Sequence, residues 1–306
     1  RALAIYEKEL GPDHPDTALS LNNLAQTYSG LAQYDKALLL HRRALTINEK
    51  VLGPDHPDTA MILNNLAIAY RYLAQYDKAL PLQRRVLAFY EKELGPEHPG
   101  TAMSLNNLAI TYQELAQYDE ALPLQRRALA IYEKELGPDH PDTAMSLNNL
   151  AITYQELAQY EKSLLLHRRA LKIREKVIGP DHPDTAMILN NLAITYQKLA
   201  QYDKALLLQR RALEINEKSL GSDHPFAADV LKDLAITYSE LAQYDKALPL
   251  QRRALAIYEK ELGPDHPDTA LSLNNLTITY QELAQYDKAL PLQRRALAIY
   301  EKELGP

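Results

Sequence analysis

Leu105-Asn106-Asn107-Leu108-Ala109-Ile110-Thr111-Tyr112 is the stretch that decides how this chain is read, because the chain keeps rewriting it. The pattern recurs at Leu63–Tyr70, Leu147–Tyr154, Leu189–Tyr196 and Leu273–Tyr280, and in diverged form at Leu21–Tyr28 and Leu231–Tyr238. Each copy begins 42 residues after the last, with no insertion or deletion. A fixed period of this length marks a solenoid, whose units bury their apolar faces only by stacking on their neighbours.

Working outward, Gly95-Pro96-Glu97-His98-Pro99 cannot continue a helix, since glycine frees the backbone and proline removes donors. Pro99 suits the first position of a new helix, where its missing N–H costs nothing. Most copies follow that proline with an acid (Asp16, Asp58, Asp142, Asp184, Asp268), favourable at the positive end of a helix dipole. Ala102, Leu105, Leu108, Ala109, Tyr112 and Leu115 then recur at three- and four-residue spacing, which predicts helix A over roughly residues 100–115. After a polar break at Gln117, Ala121, Leu122, Leu124, Ala128, Leu129 and Ile131 predict helix B over roughly residues 118–135, stopped by Gly137. The expectation is one all-α domain over residues 1–306. It comprises a partial helix B at 1–10 and seven repeats at 11–52, 53–94, 95–136, 137–178, 179–220, 221–262 and 263–304.

Leu105, Leu108, Ala109, Tyr112, Ala116, Tyr118, Ala121 and Ala128 fall on the small/large pattern of the tetratricopeptide repeat (TPR). Leucine replaces the early tryptophan of that pattern and alanine its first glycine. The 42-residue unit, Leu-Asn-Asn-Leu-Ala and Leu-Gly-Pro-Asp-His-Pro resemble the TPR subfamily of kinesin light chains and bacterial multi-repeat proteins. The resemblance implies an α-solenoid, a right-handed superhelix of antiparallel helix pairs with helix A lining the concave surface.

Composition narrows the function. The chain has no cysteine, which excludes disulfides and Cys-based metal sites. A net charge of −6 with both signs interspersed argues against a nucleic-acid surface. No apolar run reaches membrane-spanning length and no signal peptide is visible, so a cytoplasmic location is expected. The Arg84-Arg85 and Arg126-Arg127 pairs sit among acids and read as a salt-bridged helix B surface. Residues 1–10 match 127–136, so the chain is expected to be a piece of a longer array. Incompletely covered apolar faces at its two ends point to head-to-tail self-association.

Differences between copies carry information of their own. Helix B comes in two forms: Pro81, Pro123, Pro249 and Pro291 accompany a later tyrosine, as in Tyr132, whereas Leu39, Leu165 and Leu207 accompany Asn48, Arg174 and Asn216. Val51 precedes Ile62 and Val177 precedes Ile188, where Glu135 precedes Ser146, as contact across the loop or block duplication would produce. The sixth unit departs most, with Ser222 for proline and Lys232-Asp233 for the asparagine pair.

The face of helix A opposite its packing stripe supplies the candidate site. It carries Met103, Asn106, Asn107 and Ile110, then Met145, Asn148, Asn149 and Ile152, then Met187, Asn190, Asn191 and Ile194. An asparagine amide offers an acceptor and two donors, enough to hold a peptide C=O and N–H together, and methionine gives adaptable apolar contact. The second asparagines (Asn23, Asn65, Asn107, Asn149, Asn191, Asn275) match the position that TPR domains use for peptide backbone contacts, as the resemblance implies. The lysine and arginine clamp of one carboxylate-gripping TPR subtype is absent, Met103 and Met145 standing at its lysine position. One histidine per repeat cannot build a metal site, since ligands sit at about 2.1 Å while helical pairs stack about 8–10 Å apart. No phosphate loop, nucleophilic triad or evident carboxylate pair is present, so neither catalysis, a cofactor nor a metal is expected. The expected function is a protein-interaction scaffold holding an extended peptide or partner segment; the alternatives are a self-assembling spacer and a sensor arm of a larger bacterial protein.

Overall fold

The computed structural model describes residues 2–31 and 33–304. Arg1, where the leading partial helix B was expected to begin, and the side chain of Ala2 lie outside them. The described residues form fifteen α-helices and no strand. The chain divides into two compact units, Arg1–Thr153 and Tyr154–Pro306, and the division falls inside one helix, α8.

In the first unit, α1 (Ala2–Glu9) leads into three A/B pairs: α2 (Pro15–Gly30) with α3 (Tyr34–Val51), α4 (Pro57–Tyr72) with α5 (Tyr76–Glu93), and α6 (Pro99–Glu114) with α7 (Tyr118–Glu135). The helix A of the next pair, α8 (Pro141–Glu156), follows. The second unit holds α9 (Tyr160–Val177), then α10 (Pro183–Lys198) with α11 (Tyr202–Leu220), α12 (Pro225–Glu240) with α13 (Tyr244–Glu261), and α14 (Pro267–Glu282) with α15 (Tyr286–Leu304). Helices A and B lie within a residue or so of the spans their periodicity predicts.

Each helix A starts on a histidine that closes it. His98 Nδ1 accepts a hydrogen bond from the Gly100 N–H at 3.0 Å, with Pro99 in the first turn. Thr101, two residues after the proline, donates from Oγ1 to the Gly95 carbonyl at 2.8 Å and ties the loop across the left-handed Gly95 (φ 96°). The repeated loop histidine is therefore an N-cap, satisfying one of the donors a helix start leaves open. Helix A ends in a Schellman turn, in which Gln117 N–H reaches Tyr112 O and Ala116 N–H reaches Gln113 O. The left-handed position of that turn is Ala116, at φ 54°.

Packing is small against large. In the first unit Ala102 and Leu105 of α6 meet Ala128, Ile131 and Tyr132 of α7, with Leu87 of α5 packed alongside. Toward the other end of the pair, Leu108, Ala109, Tyr112 and Ala121 form a second cluster, again with Leu87. In the second unit Ala228, Leu231, Ala254, Ile257 and Tyr258 repeat the first arrangement, with Leu213 of α11 against them. Alanines at the A/B contact let the helices approach closely, and the leucines carry the burial, each contributing about 1.5–3 kcal/mol.

Polar groups add a register. Arg127 pairs with Glu91 of the preceding helix B at 2.6 Å and donates to the Pro96 carbonyl, and Lys134 pairs with Glu97. Arg84 donates to the Tyr112 hydroxyl at 2.6 Å. The same contacts recur in the second unit as Arg211–Glu175, Arg253–Glu217 and Arg168–Tyr196. The paired arginines thus bind one repeat to the next. Ile62 is fully buried with Ala18, Leu21, Ala44 and Ile47, whereas Val51 is 49% exposed, so burial against each other does not account for their matched polarity.

Candidate functional site

Leucines and alanines of helix A are spent on packing, and the remaining face presents the predicted rows. In the first unit Met103 is exposed, Met145, Asn65, Asn107, Asn149, Ile110 and Ile152 are half-buried, and Asn23 is exposed. Asn106 and Asn148 are buried. In the second unit Met187 is exposed, Asn191, Ile194 and Asn275 are half-buried, and Asn190 is buried.

The asparagines do not simply stand in a row. Asn65 Nδ2 donates to Asn22 Oδ1 at 3.1 Å, and Asn107 Nδ2 donates to Asn64 Oδ1 at 3.0 Å. The second asparagine of one repeat thus meets the first asparagine of the repeat before it, and these amides brace neighbouring A helices. The pattern changes at the next step. Asn106 Oδ1 is buried and has no hydrogen-bond partner.

A hollow of about 270 Å³ opens between α6 and α8 at this point. Its walls are Met103, Ile110 and Met145, with Asn106, Asn107 and Asn149 between them. Tyr132 of helix B and Asp142 of the first turn of α8 complete it. Burial, reinforced by the Asp142 charge, pushes the Tyr132 phenol above its ordinary range, so the phenol stays a neutral donor. Beneath the face, Thr153 Oγ1 donates to Gln125 Oε1 at 2.6 Å, and Gln113 Nε2 reaches Thr153 Oγ1 at 2.7 Å, fixing α8 against α6 and α7.

Two contributors were missed from the sequence. The Tyr132 position appears there only as a partner of Pro123, and Asp142 only as a helix-dipole residue. Its place three residues before Met145, on the same side of helix A, was the available signal. In the second unit the Tyr132 position is Arg174, Asn216, Tyr258 and Tyr300: Arg174 pairs with Asp184 at 3.3 Å, Asn216 donates to the Phe226 carbonyl, and the Tyr258 hydroxyl donates to Asp229 at 2.6 Å.

The sixth repeat gives this face a different character. Asn190 Nδ2 donates to Asp233 Oδ2 at 2.7 Å, while Lys232 Nζ lies 3.6 Å from Asp229 Oδ1. Burial holds the Asp233 carboxyl above its usual range, partly offset by Lys232 and the Asn190 amide. Among the described residues no group of three or more His, Cys, Asp or Glu could hold a metal ion, and no helix is long and apolar enough to cross a membrane.

A repeated helix pair with small/large packing and a polar helix A face defines a helical repeat scaffold. Tetratricopeptide repeat models match residues 40–92, 75–134, 101–176, 160–218, 184–260 and 240–302, and a second such model matches 1–16 and 17–58. The chain belongs to the tetratricopeptide repeat family, whose members are as a rule non-catalytic protein-interaction scaffolds. It is similar to the solved nearly identical TPR-like repeats of a putative kinesin light chain from Podosopora anserina, at 30% identity over 67% of this chain and 98% of that one (TM-score 0.56). The fold is also that of BtubC from P. vanneervenii, at 24% identity over 77% of this chain and 92% of that one (TM-score 0.59). A Rap protein complexed with Competence and Sporulation Factor shares the fold at 16% identity, over 93% of this chain and 75% of that one (TM-score 0.72). No curated protein matches the chain in sequence.

Proposed function

We propose that the helix A face binds an extended peptide or partner segment, with Met103, Ile110 and Met145 gripping side chains and Asn107 and Asn149 facing the backbone. The observation that carries this reading is the hollow between α6 and α8, where these groups converge, all half-buried but the exposed Met103. The Rap neighbour, solved with a bound factor, offers a precedent for the fold. Asn191 and Asn275 extend the same row in the second unit. Residues 1–306 are taken as one repeat domain on the strength of the unbroken period, working in the cytoplasm.

Selection of a random peptide display library on the 306-residue chain tests the reading. The chain has only four methionines, so methyl-labelled protein gives four resonances, two of them from the hollow. Selected peptides are expected to shift Met103 and Met145, and Ile110→Ser with Asn149→Ala is expected to weaken them with little change in thermal stability. Binders that leave both methyl groups unmoved would place recognition elsewhere.

A second association is proposed between copies of this chain. Leu290 and Leu297 of α15 are 50% and 56% exposed, whereas Leu255, the α13 counterpart of Leu297, is 9% exposed and packs against Ala270 and Leu273 of the following helix A. A second copy could cover the Leu290 half of α15 with the exposed Leu24 of its own α2. The seat for Leu297 on Ala18 and Leu21 is filled by Leu3 of α1, which the contact must displace, and such a head-to-tail contact need not close. Sedimentation velocity is expected to show concentration-dependent growth, abolished by Leu290→Gln with Leu297→Gln; a monomer at high concentration would rule the contact out.

A further inference from the structure

We propose that the hollow between α6 and α8 is a subsite for one long cationic side chain, a lysine or arginine of the bound segment. This rests on the peptide-binding reading above and adds to it the chemistry of one position.

Four observations lead there. First, an acceptor is unpaired. Asn22 and Asn64 use Oδ1 to accept from the next repeat, but Asn106, at the same position in the wall of the hollow and only 7% exposed, has a buried Oδ1 with no partner. A buried acceptor without a donor is destabilising, and a donor that reaches it recovers part of that cost.

Second, the charge is negative and uncompensated. Asp142 is the one charged residue that lines the hollow. His140 stands 3.7 Å from that carboxylate, but its Nδ1 accepts the Asp142 backbone N–H, so the nitrogen facing the acid carries no proton. The position is thus short of a cation, and a charged donor to a carboxylate forms one of the stronger hydrogen bonds.

Third, the walls fit a stem. Met103, Ile110 and Met145 present flexible apolar surface, and lysine and arginine bury their methylenes on such surface while the head stays at the polar end. Fourth, the size fits one side chain: about 270 Å³ falls below the roughly 300–1,000 Å³ of sites for free small molecules. A bare metal ion is disfavoured, because a single carboxylate and an amide oxygen leave most of a coordination shell unfilled.

The library selection supplies the probes. Binders that shift Met103 and Met145 are expected to share a lysine or arginine at one fixed position. Replacing it with norleucine, which keeps the stem and removes the charge, is expected to weaken binding about tenfold or more. Asp142→Asn, at an exposed position whose helix start His140 still caps, should cost a similar factor. The two changes together should cost little more than either alone. n-Butylamine, the head and stem without a backbone, should shift the same methyl groups only at far higher concentration. Binders that shift Met103 and Met145 without any basic residue, or that tolerate norleucine, would overturn the cationic subsite and leave the groove reading standing. n-Butylamine binding as tightly as the peptides would overturn the peptide source of the cation. Selection that yields no binder at this face would overturn both readings.

Discussion

The α6/α8 face of the first unit and the α10/α12 face of the second are built on the same positions and present different chemistry. In the first, neutral amides, two methionines and a tyrosine line the hollow beside Asp142; an unpaired buried Oδ1 is common to both faces, on Asn106 here and on Asn190 in the second. In the second, Asn190 is engaged with the Asp233 carboxylate, Lys232 leans toward Asp229, and Asn216 replaces the tyrosine. Beneath both, the packing is the same: Ala102 and Leu105 in one, Ala186 and Leu189 in the other, all fully buried. Shape comes from the packing positions, while the face positions are free to differ in chemistry between the two units.

The largest expected effect breaks the shared part. Leu105→Ala and Leu189→Ala each remove a fully buried side chain from equivalent clusters, and each should cost about 2–5 kcal/mol in urea unfolding. Similar losses at the two sites would show that the scaffold is energetically repeated. A large disparity would mean that the face chemistry feeds back on packing.

A pH dependence separates two other repeats from their neighbours. His41 and His167 stand where Gln83, Gln125, Gln209 and Gln251 are found, and all six are buried. Burial holds the two imidazoles neutral, down to about 4 for His41 and about 3 for His167. An unfolded histidine takes up its proton near pH 6.5, so below that pH the unfolded chain binds protons that the folded one refuses, and stability falls. The loss should begin near pH 6.5 and continue to about pH 4 and about pH 3 respectively. His41→Gln and His167→Gln should leave stability at pH 7 nearly unchanged and each raise it by about 2 kcal/mol at pH 5. Equal stability of variant and parent at pH 5 would mean that the imidazoles titrate freely in the fold.

The two faces also show what could be read from letters alone. The helices and their pairing were legible, since Leu105, Leu108 and Tyr112 repeat at helical spacing and the loop punctuation is unambiguous. The unusual chemistry of Lys232-Asp233 was legible as a break in the repeat. Which amides are free was not, because Asn107 and Asn149 are the same residue in the same local sequence. Asn107 donates to Asn64, yet Asn106 Oδ1 is left without a donor, and only the relative placement of two helices decides such things. Tyr132 and Asp142 stayed hidden for a related reason: they reach the hollow from another helix and another turn.

Asp233 offers a smaller test, aimed at the difference itself. Its carboxyl is held above the usual range chiefly by burial, so the folded chain binds that proton more tightly than the unfolded one. Stability from this group is present below about pH 4 and lost as pH rises through the folded value. Asp233→Asn, which restores the common residue, should raise the melting temperature at pH 7, with the gain shrinking as pH is lowered toward 4. A lower melting temperature at pH 7 would show that the Asn190 and Lys232 contacts outweigh burial.

The smallest effect concerns the turn that both units share. Ala116 and Ala242 occupy the left-handed position of the Schellman turn ending helix A, at φ 54° in each. That conformation places Cβ against the backbone, which costs an alanine about 1–2 kcal/mol that glycine does not bear. Glycine also loses more chain entropy on folding, so the net gain should be smaller, about 0.5–1 kcal/mol. Because the turn is set by backbone bonds such as Gln117 N–H to Tyr112 O and Gln243 N–H to Tyr238 O, the gain should be the same in both units, whatever their faces carry. Differential scanning calorimetry of Ala116→Gly, Ala242→Gly and the pair would detect it. Additive increments would place the strain in the turns themselves; a gain at Ala116 alone would tie it to the hollow between α6 and α8.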